Sequence, residues 1–166
     1  FPMPEMKING AHIDYDDQGV GPSLVLVHGF GGDRLSWSTI TPKLSMEYRV
    51  ITMTHRGMGG TERPIDGNHS IQAMADDLHV LLRQLGVKDP VVLGHSMGGY
   101  IAQTYYFSYP NDVKALVLYG TGCDHTRSLP SGPTSEEAAH IIETKGMQAI
   151  LEEFLDGWLT QQASSE

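Results

Sequence analysis

The stretch Val92-Leu93-Gly94-His95-Ser96-Met97-Gly98-Gly99 decides how the rest of the chain is read. It joins an apolar run of strand length to a segment whose Ile101, Ala102 and Tyr105 share one helical face. A serine spaced as Gly94-x-Ser96-x-Gly98 fits a sharp strand-to-helix turn. In such a turn the central residue has a strained backbone, and the glycines let neighbouring chain come close. The serine Oγ then stands above the strand end. The helix N-terminus behind it offers free N–H groups and the positive end of a dipole to a developing oxyanion. The competing reading is a serine that merely starts a helix; the strand before it and the helix after it favour a nucleophile.

Working outward, three more runs have the same strand-like character: Leu24–Val27, Arg49–Met53 and Ala115–Tyr119. Their continuous apolar centres predict strands buried on both faces, as in a parallel sheet. A helix is predicted from Ile71, because Met74, Leu78, Leu81, Leu82 and Leu85 recur with a 3.6-residue period. Ser70 is its expected N-cap and Gly86 its stop. Asn9-Gly10 between short alternating runs predicts an N-terminal β-hairpin, and Gly19–Pro22 marks a turn. The class is therefore α/β: a mostly parallel sheet with flanking helices, preceded by the hairpin.

Two glycine-rich segments follow other strands. His28-Gly29-Phe30-Gly31-Gly32 comes after the first, where a tight turn aims a backbone N–H at the same site. The Phe30 and Met97 amides are thus the candidate oxyanion donors. A phosphate loop is excluded, since neither Gly-Lys-Ser/Thr nor Gly-x-Gly-x-x-Gly occurs in the required setting. His55-Arg56-Gly57-Met58-Gly59-Gly60 follows the second strand and reads as structural, with Arg56 hydrogen-bonding internally.

Composition narrows the function classes. The 166 residues carry 11 basic and 20 acidic side chains, a net charge of −9, with 40% hydrophobic residues. No basic cluster suits a phosphate backbone, so nucleic acid is not an expected partner. No apolar stretch approaches the roughly 20 residues of a membrane span. The lone Cys123 permits no internal disulfide and fits a reducing compartment, and a cytoplasmic location is expected. Residues 134–166 hold seven acids and one base. They open with the capping box Thr134-Ser135-Glu136-Glu137, and Met147, Ile150, Leu151, Phe154, Leu155, Trp158 and Leu159 then form an apolar stripe. This predicts a core from 1 to 133 and an amphipathic helical segment from 134 to 166, packed on the core or acting as a lid. A chain that starts with Phe1 and stops in a polar run is expected to be trimmed or partial.

Taken together, His28-Gly29-Phe30-Gly31-Gly32, Arg56-Gly57-Met58-Gly59 and Gly94-His95-Ser96-Met97-Gly98-Gly99 resemble the α/β-hydrolase family in order and spacing. The likeness spans about residues 6–122 and is nearest to esterases, enol-lactonases and carbon–carbon bond hydrolases. Dehalogenases and epoxide hydrolases of that fold carry aspartate at the position of Ser96. The resemblance implies a Ser–His–acid triad without a cofactor or metal, an oxyanion hole at Phe30 and Met97, and a helical cap beginning where the acidic segment lies. It implies supporting roles for His28, Gly29, Gly94, His95 and Gly98.

In that family the histidine and usually the acid come from later strands, beyond residue 166. Asp124 follows the last apolar run and is the candidate acid within the chain. His55 and His125 are weighed as bases against solvated-loop roles. His95 is expected to be turned away from Ser96, and His12, His69, His79 and His140 to be inert surface residues. Trp37 either lines a pocket or packs. The expected activity is a serine hydrolase acting on an ester, lactone or related carbonyl. The alternatives are a cofactor-free haloperoxidase, carbon–carbon hydrolase or acyltransferase, and a silent binding or dimerisation module. The expected partners are a small acyl substrate and, for the open sheet edge, a further segment or a second copy.

Overall fold

A computed structural model describes residues 5–64, 67–123, 135–146 and 149. They belong to two compact units, 1–123 and 124–166. The first holds a six-stranded sheet in the order β1-β2-β4-β3-β5-β6. Strands β1 (Glu5–Ile8) and β2 (Ala11–Gln18) form the hairpin, with Asn9 and Gly10 at φ 47° and 88° as a tight two-residue turn requires. β2 runs antiparallel to β4 (Arg49–Met53), whereas β3 (Ser23–Val27), β4, β5 (Val91–His95) and β6 (Ala115–Tyr119) are mutually parallel. A short helix α1 (Thr41–Leu44) lies between β3 and β4.

Helix α2 (Ile71–Gln84) begins and ends on the predicted signals. The Ser70 Oγ accepts from the Ala73 N–H at 3.2 Å. Gly86 takes φ 64°, and the Val87 and Gly86 amides close back on the Leu82 and Arg83 carbonyls. The apolar face of α2 (Met74, Leu78, Leu81, Leu82) is buried, as are Ile101, Ala102 and Tyr105 of α3 (Met97–Ser108). In the second unit, α4 (Ser135–Lys145) is described; the predicted stripe from Met147 to Leu159 lies outside the described residues.

One expectation fails. β3 and β4 are buried as predicted, but in β6 Val117, Leu118 and Tyr119 are 43%, 47% and 64% exposed. β6 pairs with β5 alone, and among the described residues nothing takes its outer edge. An apolar run records the preference of its side chains, while burial needs a neighbour on each side.

Two buried ion pairs tie the loops to the sheet. Arg56 donates from Nε and Nη2 to the two Asp77 oxygens, both at 2.6 Å, and from Nη1 to the Asn68 carbonyl. Asp77 is fully buried on α2 and also accepts from Asn9 Nδ2 at 2.9 Å. Arg34 reaches Asp14 at 2.7 Å and Asp16 at 2.6 Å, and its amide donates to Thr54 Oγ1.

Candidate active site

The register of the sheet assembles the site. Met53, Val27, Gly94 and Leu118 lie side by side across β4, β3, β5 and β6. The segments that follow, from His28, Thr54 and His95, therefore emerge at one carboxyl edge. There the chain order reverses from β3–β4 to β3–β5, the usual place for a ligand site in an α/β sheet.

Ser96 sits between β5 and α3 at φ 54° and ψ −120°. This backbone is costly for any residue with a Cβ, by about 1–3 kcal/mol. Its side chain makes no helix-capping hydrogen bond. The contrast with Ser70, extended and capping, separates this residue from an ordinary helix-start serine. The glycines explain how the turn closes. A Cβ on Gly94 would meet the carbonyl of Gly98, and a Cβ on Gly98 would meet the carbonyl oxygens of Val27 and His28. A Cβ on Gly99 would strike the Thr121 side chain. Gly98→Ala is therefore expected to destabilise the protein by about 1–3 kcal/mol, because both obstructing groups are backbone. Gly60→Ala, whose nearest neighbour would be Asp14 Oδ2 at 3.4 Å, should be close to neutral. Denaturant midpoints of the two variants check this.

The loop after β3 is held from beneath. His28 is buried; its Nδ1–H donates to the Gly29 carbonyl at 2.7 Å, and its Nε2 accepts from the His55 N–H at 3.1 Å. His55 is buried too, and its Nε2–H donates to the His28 carbonyl at 3.2 Å. The rings lie 4.0 Å apart. These bonds leave His28 Nε2 as an acceptor, with its proton on Nδ1, and place a proton on His55 Nε2. Burial pushes His28 below its ordinary value, against the opposing pull of the Gly29 bond and Asp33. Burial, then the neighbouring His28, holds His55 well below its own. Native histidines held neutral bind fewer protons than unfolded ones, so this part of stability is present above pH 6.5 and lost below it. Stability is therefore expected to fall as the pH drops below 6.5, measured by denaturant titration.

Further along, Asp33 caps the turn Arg34–Trp37: its carboxylate accepts from the Leu35 N–H at 2.8 Å, and Ser36 Oγ accepts from its amide. A cavity of about 470 Å³ opens beside the elbow, walled by His28, the glycine loop with Phe30, Ser36, Trp37, His95 and Tyr119. Trp37 meets the His95 ring edge-on at 6.5 Å, and Tyr119 lies 5.2 Å from it.

The structure thus brings together Ser96, His28, Gly29, Phe30, Gly94, His95, Met97 and Gly98. A Cβ on Gly29 would stand 3.1 Å from Ser96 Cβ and 3.3 Å from His95 Nδ1. Among the described residues no hydrogen bond occupies the Phe30 or Met97 amide. The Phe30 side chain is 60% exposed. Trp37 walls the cavity. His55 is locked beneath the loop rather than free in it, since both its Nε2 and its amide are engaged with His28. His79, expected on a surface, stacks on Tyr109 at 3.7 Å and is half-buried. Asp124 and His125 lie outside the described residues. Sequence reasoning missed the Asp14–Arg34 and His28–His55 partnerships. No helix among the described residues is long and apolar enough to cross a membrane.

A family model for the alpha/beta hydrolase fold matches residues 22–159. A fluoroacetate dehalogenase of Burkholderia sp. is 35% identical over 104 residues, 60% of this chain and 34% of the relative. Lipase 3 of Moraxella sp. (strain TA144) is 32% identical over 134 residues, 78% of this chain and 42% of the lipase. A solved enzyme described as degrading N-acyl homoserine lactones superposes with a TM-score of 0.83 at 28% identity, covering 98% of this chain and 60% of its own. The chain spans less than half the length of these two curated relatives.

Proposed function

The chain belongs to the alpha/beta hydrolase fold family, and from that premise we propose that the protein is a serine hydrolase acting on an ester, lactone or related carbonyl. The observation that carries this reading is the backbone of Ser96, held at φ 54° with a hydroxyl unused in capping. In the proposed reaction Ser96 Oγ attacks the carbonyl carbon while a histidine base takes its proton. The negative charge moves to the carbonyl oxygen, where the Phe30 and Met97 amides receive it. The tetrahedral species collapses, the leaving oxygen takes the proton, and an acyl-enzyme remains for water to hydrolyse.

His28 and His55 are consumed by their hydrogen bonds beneath the loop, so neither serves as the base in the proposed reaction. Serine at the elbow supports acyl transfer over the dehalogenation named for the Burkholderia relative; the lactone-degrading and lipase relatives support the ester and lactone class. Residues 134–166 are proposed as the start of a lid. The edge of β6, unpaired among the described residues, supports a second reading, in which this chain is a silent module that works through a strand partner.

A fluorophosphonate probe separates the two. Applied to the protein expressed with its flanking coding sequence, it is expected to add one phosphonyl group to the peptide containing Ser96. A folded protein left unlabelled overturns the hydrolase reading and supports the module.

A further inference from the structure

We propose that His28 and His55 form a positioning clasp that holds the Phe30 amide in register with the Met97 amide. The inference rests on the reading of those two amides as oxyanion donors and adds what sets the distance between them.

The bonding is reciprocal. The His28 ring takes the His55 amide at Nε2 and gives Nδ1–H to the carbonyl of Gly29, the peptide that carries the Phe30 N–H. The His55 ring gives Nε2–H to the His28 carbonyl. That same His28 carbonyl is one of the two that a Cβ on Gly98 would meet, at 2.6 Å, beside the nearer Val27 carbonyl oxygen. The His28 oxygen is therefore bonded by β4's loop on one side and, together with the Val27 oxygen, fills the space where a side chain at Gly98 would stand. Phe30 lies two residues along the chain from it, and Met97 directly precedes Gly98. The clasp thus ties the Phe30 amide to the same stretch of backbone that Gly98 is packed against.

Packing alone does not account for an imidazole at position 55. Among the described residues its Nδ1 is buried without a partner, a penalty of about 1–3 kcal/mol that an apolar side chain of similar size would avoid. What the ring supplies is the single donor at Nε2. The clasp also works in one protonation state. A second proton on His28 would place N–H against the His55 N–H, two donors facing each other. A second proton on His55 would put N–H where no described residue offers an acceptor, in a ring whose centroid is 4.0 Å from that of another imidazole. The titratable groups around the pair are the two rings themselves, Asp33 on the loop's far end, and His95 and Tyr119 across the cavity.

Two measurements test this on the protein expressed with its flanking coding sequence. Nitrogen-15 spectra of the histidine rings at pH 7 are expected to show His28 protonated at Nδ1 and His55 at Nε2. His28 protonated at Nε2, or either ring cationic, overturns the clasp whatever the activity. The second measurement is the rate of phosphonylation by a fluorophosphonate, resolved into probe binding and the bond-forming step. His55→Met keeps the volume and loses the donor. It should slow the bond-forming step by about ten- to a hundredfold, as expected for a displaced oxyanion donor, with binding unchanged. His55→Gln, which restores a donor near the Nε2 position, should recover to within a few-fold. A folded His55→Met with the parent rate overturns the proposal, as does equal loss in both variants. A parent that is not phosphonylated at Ser96, with the tautomers as assigned, overturns the nucleophile reading and leaves the hydrogen-bonded clasp standing.

Discussion

Ser96→Gly is expected to give a protein that resists denaturant better than Ser96→Ala while losing ester turnover just as completely. Both variants lack the Oγ, and loss of a nucleophile of this kind costs about 10³-fold or more in rate. They differ in the backbone. At φ 54° and ψ −120° any Cβ is strained, by about 1–3 kcal/mol. Alanine keeps that strain. Glycine relieves it, at a cost of roughly 0.5–1 kcal/mol from its greater freedom in the unfolded chain. Strain is the larger effect, so the midpoint for Ser96→Gly should lie above that for Ser96→Ala. The reverse order would show that the turn is relaxed and would remove the main support for reading Ser96 as a poised nucleophile.

Asp77→Ala is expected to have the largest effect on stability, about 3–5 kcal/mol, the usual penalty for breaking a buried pair by removing one partner. Arg56, itself 3% exposed, would keep a charge with two of its N–H groups facing a void. The pair lies far from Ser96 in sequence but near it in consequence, because Arg56 adjoins His55. Ester turnover should therefore fall along with the unfolding midpoint. Removing both charges, as in Asp77→Leu with Arg56→Met, should recover much of the lost stability, since no buried charge is then left without its counter-charge. A double variant no better than Asp77→Ala alone would mean that the network, not the orphaned charge, sets the cost.

The parts of this fold that were legible in the chain are those set by neighbouring residues. Asn9-Gly10, Ser70 with Gly86, and Gly94 with Gly98 each dictate a local backbone shape, and each appears where local chemistry put it. Arg56 was legible as an internal donor, but Asp77 was not its foreseeable partner: it sits mid-helix, on a face that only the docking of α2 buries. The same is true of Asp14 with Arg34, and of His28 with His55, joined across two strands. The misreading of β6 has the converse cause, since Val117 and Leu118 declare a preference that the described surroundings do not meet. Within the site, the nucleophile and its glycines could be found from spacing, whereas the groups that hold them in place could not.

The tight turn at Asn9-Gly10 also gives the protein a clock. An exposed asparagine followed by glycine is the peptide most open to succinimide formation, because glycine offers no side chain to hinder the attacking amide. Here the asparagine is also the donor to the buried carboxylate of Asp77. Deamidation would exchange that donor for a second carboxylate and set two negative charges against each other where the hairpin turn meets α2. Preparations should therefore age by a defined chemical route, with older material softening first at the seam between the hairpin and α2.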